Sequence, residues 1–171
     1  MTVTTNITES DVLSALRTVI IGVIDCDVVQ GLDNNVPMPQ SGFISLTPIT
    51  QNRLSTNTES YSETDGTKTI TQALQYGVQI DCYGDDASTW AWILTTILRD
   101  GYACLRMPAN IQPMYATDPQ MAPIVDGENQ YNSRWLLTAV LQANVSMTFA
   151  QDFFNEASVS TYATGDSNQT E

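Results

Sequence analysis

Two stretches of the chain alternate apolar and polar residues with a period of two, the pattern of β-strands that have one buried face. In the stretch 134–149, every second residue from Trp135 to Phe149 is apolar. At ~3.3 Å per residue this strand would extend beyond about 50 Å, which is longer than a typical strand. We expect the two long strands to pair antiparallel and to project past the core. In the other stretch, 69–83, the apolar positions are Leu74, Tyr76, Val78, Ile80 and Cys82.

Two other segments change to the 3.6-residue period of an amphipathic helix. The segment 9–22 follows Thr8, a good N-cap residue, and Asp11 stands where a capping box carries its acidic residue. The segment 86–100 follows the pair Asp85–Asp86, of which either residue could cap it. We therefore predict two helices, each of which turns an apolar face toward a sheet.

The remaining segments are predicted mainly from their prolines and from what they lack. The segment 43–50 is bounded by prolines and is predicted to be either an edge strand or a strand that enters the sheet abruptly. The segment 51–67 has almost no large apolar residues, so it forms either a hairpin arm or a mobile loop. We expect a short strand over 102–107. The four prolines within 108–123 predict an extended surface loop without regular structure.

Length and composition favour one globular domain with a polar extension. The chain has 171 residues, of which 42% are apolar and only 15% are charged. We expect a single α+β domain over 1–150, in which a mainly antiparallel sheet with long strands packs against the two helices. The residues after it, 151–171, are polar and are expected to form a flexible C-terminal tail.

The charge of the chain is strongly acidic, with 19 acidic residues, 6 basic residues and a formal net charge of −13. Such a surface repels phosphate groups, which argues against wrapping of nucleic acid. Solubility alone accounts for the acidity. A negatively lined channel, through which a polymer moves without adhering, is the alternative, and solubility is the favoured explanation.

The residues of common catalytic sites are nearly absent from the chain. It contains no histidine, so neither a Ser–His nor a Cys–His pair can form, and no phosphate-binding glycine loop occurs. Asp25 and Asp27, or the pair Asp85–Asp86, could hold magnesium as paired carboxylates. A solvated connection and a helix cap are the favoured interpretations of these two pairs. We expect neither a metal nor a cofactor.

The three cysteines, Cys26, Cys82 and Cys104, form no CxxC pair and are predicted to be small apolar residues of the core, in a reducing compartment. The first ten residues lack the basic and apolar regions of a signal peptide, and no apolar run reaches the length of a membrane span. We therefore expect a protein that is made in the cytoplasm and does not enter a membrane.

Four segments of the sequence resemble those of phage neck and tail terminator proteins. The segments are PMPQSGFISLTPIT at 37–50, VQIDCYG at 78–84, WAWILTTILRDGY at 90–102 and NIQPMYATDPQMAPIVDGENQYNSRW at 110–135. The resemblance runs in order over roughly residues 10–150. It implies a tail-terminator-like fold and a structural virion protein rather than an enzyme.

The resemblance also implies partners and a location. Terminators of this kind form a hexameric ring at the head-proximal end of the tail, cap the tail tube and stop its polymerisation. The implied partners are other copies of the chain, the tail tube protein, the neck or connector protein and possibly the tail sheath. DNA would pass through the lumen without specific binding, and the protein would be made in the host cytoplasm before it joins the neck.

The interface residues expected from this assignment are exposed cations, aromatic residues and methionines. A helix that is apolar on two faces, as Trp92 makes the second helix, is buried either within the fold or between subunits. Arg99 would complement a helix C-terminus, and Arg134 could pair with Glu128 within the chain. The full set of candidates is Arg53, Tyr61, Trp92, Arg99, Met114, Tyr115 and Arg134.

Two other functions remain open at this point. A head-completion or connector subunit would share the acidic, strand-rich composition. A small acidic metal-dependent hydrolase would use the aspartate pairs, and it would differ from a ring subunit by its dependence on magnesium.

Overall fold

The structure is a computed structural model of the chain and describes residues 3–31, 39, 42–122, 124–125, 131–154 and 158–160. None of the helices in this described part is both long enough and apolar enough to cross a bilayer. The elements are β1 (Thr4–Thr5), α1 (Glu9–Ile21), β2 (Asp27–Gln30), β3 (Phe43–Arg53), β4 (Thr58–Ser62), β5 (Thr67–Tyr83), α2 (Ala87–Leu98), α3 (Gly101–Cys104), β6 (Ile111–Ala116), β7 (Gln120–Met121), β8 (Ile124–Val125), β9 (Tyr131–Asn132) and β10 (Arg134–Ala150).

The two long strands predicted from the alternating pattern, β5 and β10, are neighbours at the centre of the main sheet. Each has 17 residues, and they pair antiparallel from end to end, with Arg134 opposite Tyr83 and Ala150 opposite Thr67. The main sheet runs in the order β1-β10-β5-β3-β2, with β4 also on β5 and with β6 and β7 also on β10. In the described residues only the β2–β3 pairing is parallel.

The polar segment 51–67 forms the hairpin arm, one of the two alternatives that its composition allowed. Strand β3 runs along β5 as far as Arg53. After an interruption at 54–57, β4 continues along the same strand until Ser62 lies opposite Thr67. The strand predicted over 43–50 is therefore longer than its prolines suggested, since Pro48 lies next to a register shift that the pairing tolerates.

Helix α1 begins as its capping signals predict. The backbone N–H of Thr8 donates to Asp11 Oδ2 at 2.7 Å, and the N–H of Asp11 donates to Thr8 Oγ1 at 3.3 Å. These two bonds complete a capping box. Helix α2 also begins where predicted, with Asp86 at the N-cap position, but the Asp86 side chain makes no capping hydrogen bond.

Both helices contribute to one buried core on the face of the sheet that the alternating pattern marks as apolar. Cys82 belongs to this core, as predicted, and is fully buried. The fully buried side chains that form its centre include Val12, Leu16, Val19 and Ile20 of α1, Ala91 and Leu94 of α2, Val78 and Ile80 of β5, and Leu137 and Leu141 of β10.

Two sequence predictions in the region after α2 are wrong. The short strand predicted over 102–107 is absent, because the Asp100 carboxylate accepts a hydrogen bond from Tyr102 N–H at 3.0 Å and starts the helical turn α3. The loop predicted over 108–123 contains two strands, β6 and β7, that pair with β10. Pro113 fits into β6 because it lies beside the register shift between Val140 and Leu141, where the ladder is irregular.

The long central strands divide into two parts that differ in burial. The end of β5 near Tyr83 and the start of β10 lie under the helices and are largely buried, and we call this part the body. We call the other part the arm, which consists of β4, residues 67–73 of β5 and residues 144–150 of β10. No residue of β5 between Thr67 and Gln75 is buried, and in the β10 part of the arm only Val145, next to the body, belongs to the core.

Candidate assembly surfaces

The arm carries an aromatic and charged cluster on the face that continues from the helix-covered side of the body. Tyr61 is 56% exposed, and its hydroxyl donates to Glu59 Oε2 at 2.7 Å. Lys68 Nζ lies 2.8 Å from the same carboxylate oxygen and 5.2 Å from the centre of the Tyr61 ring. The Phe153 ring meets Tyr61 edge-on, with 6.3 Å between ring centres. An exposed aromatic side chain is thus held in one orientation by its neighbours.

The ionisation of this cluster follows from its contacts. The hydrogen bond from Lys68, followed by that from Tyr61, lowers the pKa of Glu59 below its usual range. The same carboxylate raises the pKa of Lys68. Both groups are therefore charged at neutral pH, and the only lysine of the chain is bound to a carboxylate of its own arm.

The opposite face of the arm is a ladder of hydroxyl groups. The hydroxyl oxygens of Thr69 and Thr148, which lie directly opposite each other, are 2.9 Å apart. Those of Thr71 and Ser146 are also 2.9 Å apart. Such cross-strand pairs hold register without a hydrophobic core. The arm therefore has one aromatic face and one hydroxyl face.

Helix α2 is apolar on two sides, as its sequence predicts, and only one side is covered within the protomer. Ala91 and Leu94 are fully buried in the core, and Trp90 packs against it. Trp92 points away and is 65% exposed. Of the two alternatives for Trp92, burial in the fold is thus excluded in the isolated protomer, and contact with another chain remains an expectation.

Met114 and Tyr115 lie next to each other on β6, exposed by 44% and 49%. Tyr115 lies opposite Val140 of β10, a residue on the face of the sheet that the helices do not cover. Arg99 fastens the end of this strand to α2, because its guanidinium donates to the Ala116 carbonyl at 2.7 and 2.9 Å. It also lies 2.7 Å from the Asp118 carboxylate. Arg99 therefore stabilises the α2–β6 surface from within the chain.

Arg134 is bound inside its own protomer. Its guanidinium lies 2.9 Å from Asp81 Oδ1, and the Asp81 residue is only 3% exposed. The amide of Gln79 donates to both oxygens of the same carboxylate, at 3.0 and 2.9 Å. The alternative partner expected for Arg134, Glu128, lies outside the described residues. Because its guanidinium is bound to Asp81, Arg134 is a weaker candidate for a subunit interface than its sequence position suggested.

Three arginines differ from these paired cations. Arg17, Arg53 and Arg106 have no carboxylate within salt-bridge distance among the described residues. In a chain with a net charge of −13, such cations are available for the carboxylates of another chain. Sequence reasoning singled out Arg53 and missed Arg17, which shows its significance only when α1 is placed beside β2.

Comparison with known proteins identifies the family of this chain. Residues 10–166 match the family described as phage neck terminator protein. The chain belongs to that family. Its role is therefore that of a structural tail terminator in the virion tail, as the resemblance of the four segments implied.

The fold of this terminator is similar to that of a solved relative. The structure resembles the PVC sheath/tube terminator of an extracellular contractile injection system, determined by cryo-EM in the extended state, with a TM-score of 0.51 and 12% sequence identity. The match covers 96% of this chain but 65% of that one, so the terminator described here spans just under two thirds of its length. A comparison with curated proteins found no match.

The aspartate pairs of the terminator are not arranged as a metal site. Asp25 and Asp27 are exposed on either side of Cys26, and Asp86 occupies the N-cap position of α2. Within the described residues, no group of three or more acidic or cysteine side chains is placed to hold a metal ion.

The cysteines of the terminator differ in their surroundings. Cys82 lies in the core, and burial raises the pKa of its thiol to about 12, with smaller contributions from Cys26 and Asp81. Cys26 is half-buried, and its pKa is raised mainly by burial and then by the neighbouring Asp27 and Asp25. Cys104 is exposed, in contrast to the buried position expected for it.

The predicted interface residues fall on separate parts of the terminator. Arg53 ends β3 and Tyr61 lies on β4, both of which pair with β5, while Met114 and Tyr115 lie on β6. Trp92 and Arg99 lie on and just after α2, and Arg99 binds the end of β6. Phe153 was missed, although it follows directly on the polar end of the last strand. The register of β4 against β5 was needed to find its contact with Tyr61.

Proposed function

We propose that this terminator forms a hexameric ring that caps the tail tube at its head-proximal end, stops tube polymerisation and joins the tail to the head connector. The observation that carries the proposal is the family match over residues 10–166, which spans both the helix-covered body and the arm. A domain over 1–150 would form the ring, and the polar segment 151–171 would reach neighbouring proteins.

The exposed side chains of the protomer support an assembly of this kind. A ring needs two different surfaces on each copy that fit each other, because each contact is heterologous and closes by rotation. The exposed Trp92, together with Met114 and Tyr115 on β6, supplies one apolar surface. The arm, with Arg53 and Tyr61, supplies a second surface of different chemistry. Arg99 and Arg134 complete the proposed set, the former through its support of β6.

The proposal includes partners beyond the ring itself. The tail tube protein would bind one side of the ring and the neck or connector protein the other, with the sheath as a further contact. The net charge of −13 favours a lumen through which DNA passes without specific binding. The protein would be made in the host cytoplasm and would act in the neck as a structural component without catalysis.

The first experiment is the mass of the purified protein by light scattering over a range of concentrations. We expect a discrete ring near six copies, formed either alone or on addition of the tube protein. Trp92→Ala should weaken the ring, since tryptophan side chains contribute strongly to interfaces. Leu105→Ala is the matched control, because Leu105 is 86% exposed but lies outside the proposed surfaces.

A tube assay distinguishes a terminator from a connector subunit. Tube protein that polymerises with this protein present should give tubes capped at one end and of limited length in electron micrographs. Binding to the connector alone, with no effect on tube growth, would favour a head-completion subunit. Magnesium-dependent hydrolysis that is lost in Asp25→Asn/Asp27→Asn would contradict the proposed structural role. A two-fold symmetric dimer in every condition would contradict a ring.

A further inference from the structure

One edge of the main sheet, strand β2, lies beside a groove under α1. Within the described residues, β2 pairs only with β3, so no strand covers its outer side. The N–H of Gly31 donates to the Leu46 carbonyl of β3 at 2.9 Å. Residues of a parallel strand point their backbone groups to alternate sides, so those of Val28 and Gln30 point outward. Arg17 Nε donates to the Val28 carbonyl at 3.4 Å, in agreement with this direction.

The groove has the lining expected of a site for an extended segment. Its volume is about 290 Å³, and Leu13, Val28 and Leu46 form its apolar part. The hydroxyls of Ser10 and Ser14 and the guanidinium of Arg17 complete the side formed by α1. No carboxylate lines it, although the chain as a whole carries a net charge of −13. The groove thus has one arginine and no carboxylate in its lining, beside an unpaired strand edge.

The arm carries another free edge, on the same side of β5 as β2. Strand β4 pairs only with β5 among the described elements, and its 5 residues match the 4 residues of β2 in length. Glu59 and Tyr61 point to one side of β4, and Glu63 opens the turn that follows Ser62. Glu59 is bound to Lys68, whereas Glu63 is exposed and has no cation within salt-bridge distance in the described part of the chain.

We propose that β4 of one copy adds to the β2 edge of the next copy and lies in the groove beside its α1. This inference rests on the proposed ring, and it names the contact that closes it. Tyr61 would fill the apolar part of the groove, and the acidic turn with Glu63 and Asp65 would lie near Arg17. Addition of a strand to a free edge supplies main-chain hydrogen bonds, while side chains in pockets supply specificity.

A second copy is the occupant that the charges and edges favour. The two free edges differ in sequence, so a β4–β2 contact that runs from each copy to the next is heterologous and closes by rotation. Two copies that exchanged both contacts would instead form a two-fold dimer, which the mass in solution distinguishes from a ring. Parallel pairing of β4 with another β4 would bring two acidic turns together, which like charges oppose. The contact between β4 and β2 also covers both unpaired edges at once, and uncovered edges are sites of unwanted association.

The test is a charge reversal in the full-length protein, measured as self-association by light scattering. Arg17→Glu and Glu63→Arg should each weaken assembly at least about tenfold, since each places like charges across the contact. An equimolar mixture of the two variants should assemble again, because each contact then joins either two native partners or two reversed ones. Asp85→Arg is the control, because it reverses an exposed charge that lies outside both the groove and β4, and it should leave assembly unchanged.

The outcomes separate this contact from the proposed ring. A wild-type ring that neither reversal weakens would overturn the β4–β2 contact and leave the ring standing. Loss of assembly in Arg17→Glu alone, with Glu63→Arg unaffected, would assign the groove to another occupant, such as the segment 151–171 or the tube protein, and would overturn β4 as its partner. A wild-type protein that never assembles, even on the tube, would overturn both. Thermal melts of each variant by circular dichroism confirm that it is folded.

Discussion

The body and the arm are built from the same two strands, yet they are stabilised in different ways. In the body, Ile80 of β5 lies opposite Leu137 of β10, and both are fully buried under the helices. In the arm, ten residues away on the same face of β5, Ile70 lies opposite Met147, which is 45% exposed. The same alternation thus gives a core where helices cover it and an accessible surface where they do not. A pattern of period two identifies a face, and other elements decide whether that face is buried.

The largest difference between the two parts is expected from one substitution made in each. Ile80→Ala should destabilise the protein by about 2–5 kcal/mol, because it leaves a cavity in a closely packed core. Ile70→Ala on the same strand and face should cost about 1 kcal/mol or less, since water already reaches this part. Urea unfolding of both variants gives the two values. Equal losses would mean that the arm is packed as tightly as the body.

The pair Arg134–Asp81 should produce the next largest effect. Arg134→Ala leaves the Asp81 carboxylate, 3% exposed, without its cation and should cost about 2–4 kcal/mol. Arg53→Ala, at the end of the exposed hairpin strand, should change stability by about 0.5 kcal/mol or less. The double variant Arg134→Ala/Asp81→Asn should recover part of the loss, since it removes the buried charge. If it recovers nothing, Arg134 acts through packing alone.

The cap of α1 tests the helical cover of the body. Thr8→Ala should cost about 1 kcal/mol at neutral pH by chemical denaturation. The hydrogen bonds from the Thr8 side chain and then its backbone lower the pKa of Asp11 in the folded protein. Because the pKa of Asp11 is lower in the folded protein than in the unfolded one, its ionised carboxylate stabilises the fold at pH values above the unfolded pKa. This stabilisation is lost as the pH falls through the folded pKa. The difference in the free energy of unfolding between wild type and Thr8→Ala should therefore become smaller at acidic pH.

A matched threonine in the arm serves as the control for this cap. Thr58→Ala removes only an exposed hydrogen bond of 3.3 Å to the Thr71 carbonyl. Its effect should be smaller than that of Thr8→Ala and should not change as Asp11 titrates. If the loss of unfolding free energy caused by Thr8→Ala stayed constant down to acidic pH, that result would contradict the coupling between Thr8 and Asp11.

The smallest effect is expected from the hydroxyl ladder of the arm. Thr71→Val keeps the side-chain shape but removes the bond to Ser146, at a cost of about 0.5–1 kcal/mol. Thr69→Val should cost less, since its pair with Thr148 is exposed. Amide hydrogen exchange should rise in residues 67–73 and 144–150 but not around Ile80. Faster exchange throughout β5 would show that body and arm open as one unit.

The elements that the sequence predicted well are those whose signals are local. The capping box of Thr8 and Asp11 lies within four residues, and the alternation that defines β5 and β10 continues without interruption along each strand. The antiparallel pairing of the two strands followed from their matched lengths and patterns.

The features that the sequence did not predict depend on register and on distant partners. Pro113 argues against a strand on its own, but a bulge beside β10 accommodates it. Arg134 meets Asp81 diagonally across two strands, and this contact requires the register that places Arg134 opposite Tyr83. The groove beside Arg17 exists only because α1 packs next to β2. Its lining residues come from α1, β2 and β3, so no single segment of the sequence predicts the groove.

The unbroken pairing of β5 and β10 has a mechanical consequence. The ladder joins the arm to the body through two strands of 17 residues that remain in register from Arg134 to Ala150. Its hydrogen bonds run perpendicular to the strands, so a pull along the strand axis loads many of them together in shear. A force that acts on the arm is therefore transmitted through β5 and β10 into the helix-covered core. The arm is thus a stiff extension of the body rather than a flexible attachment.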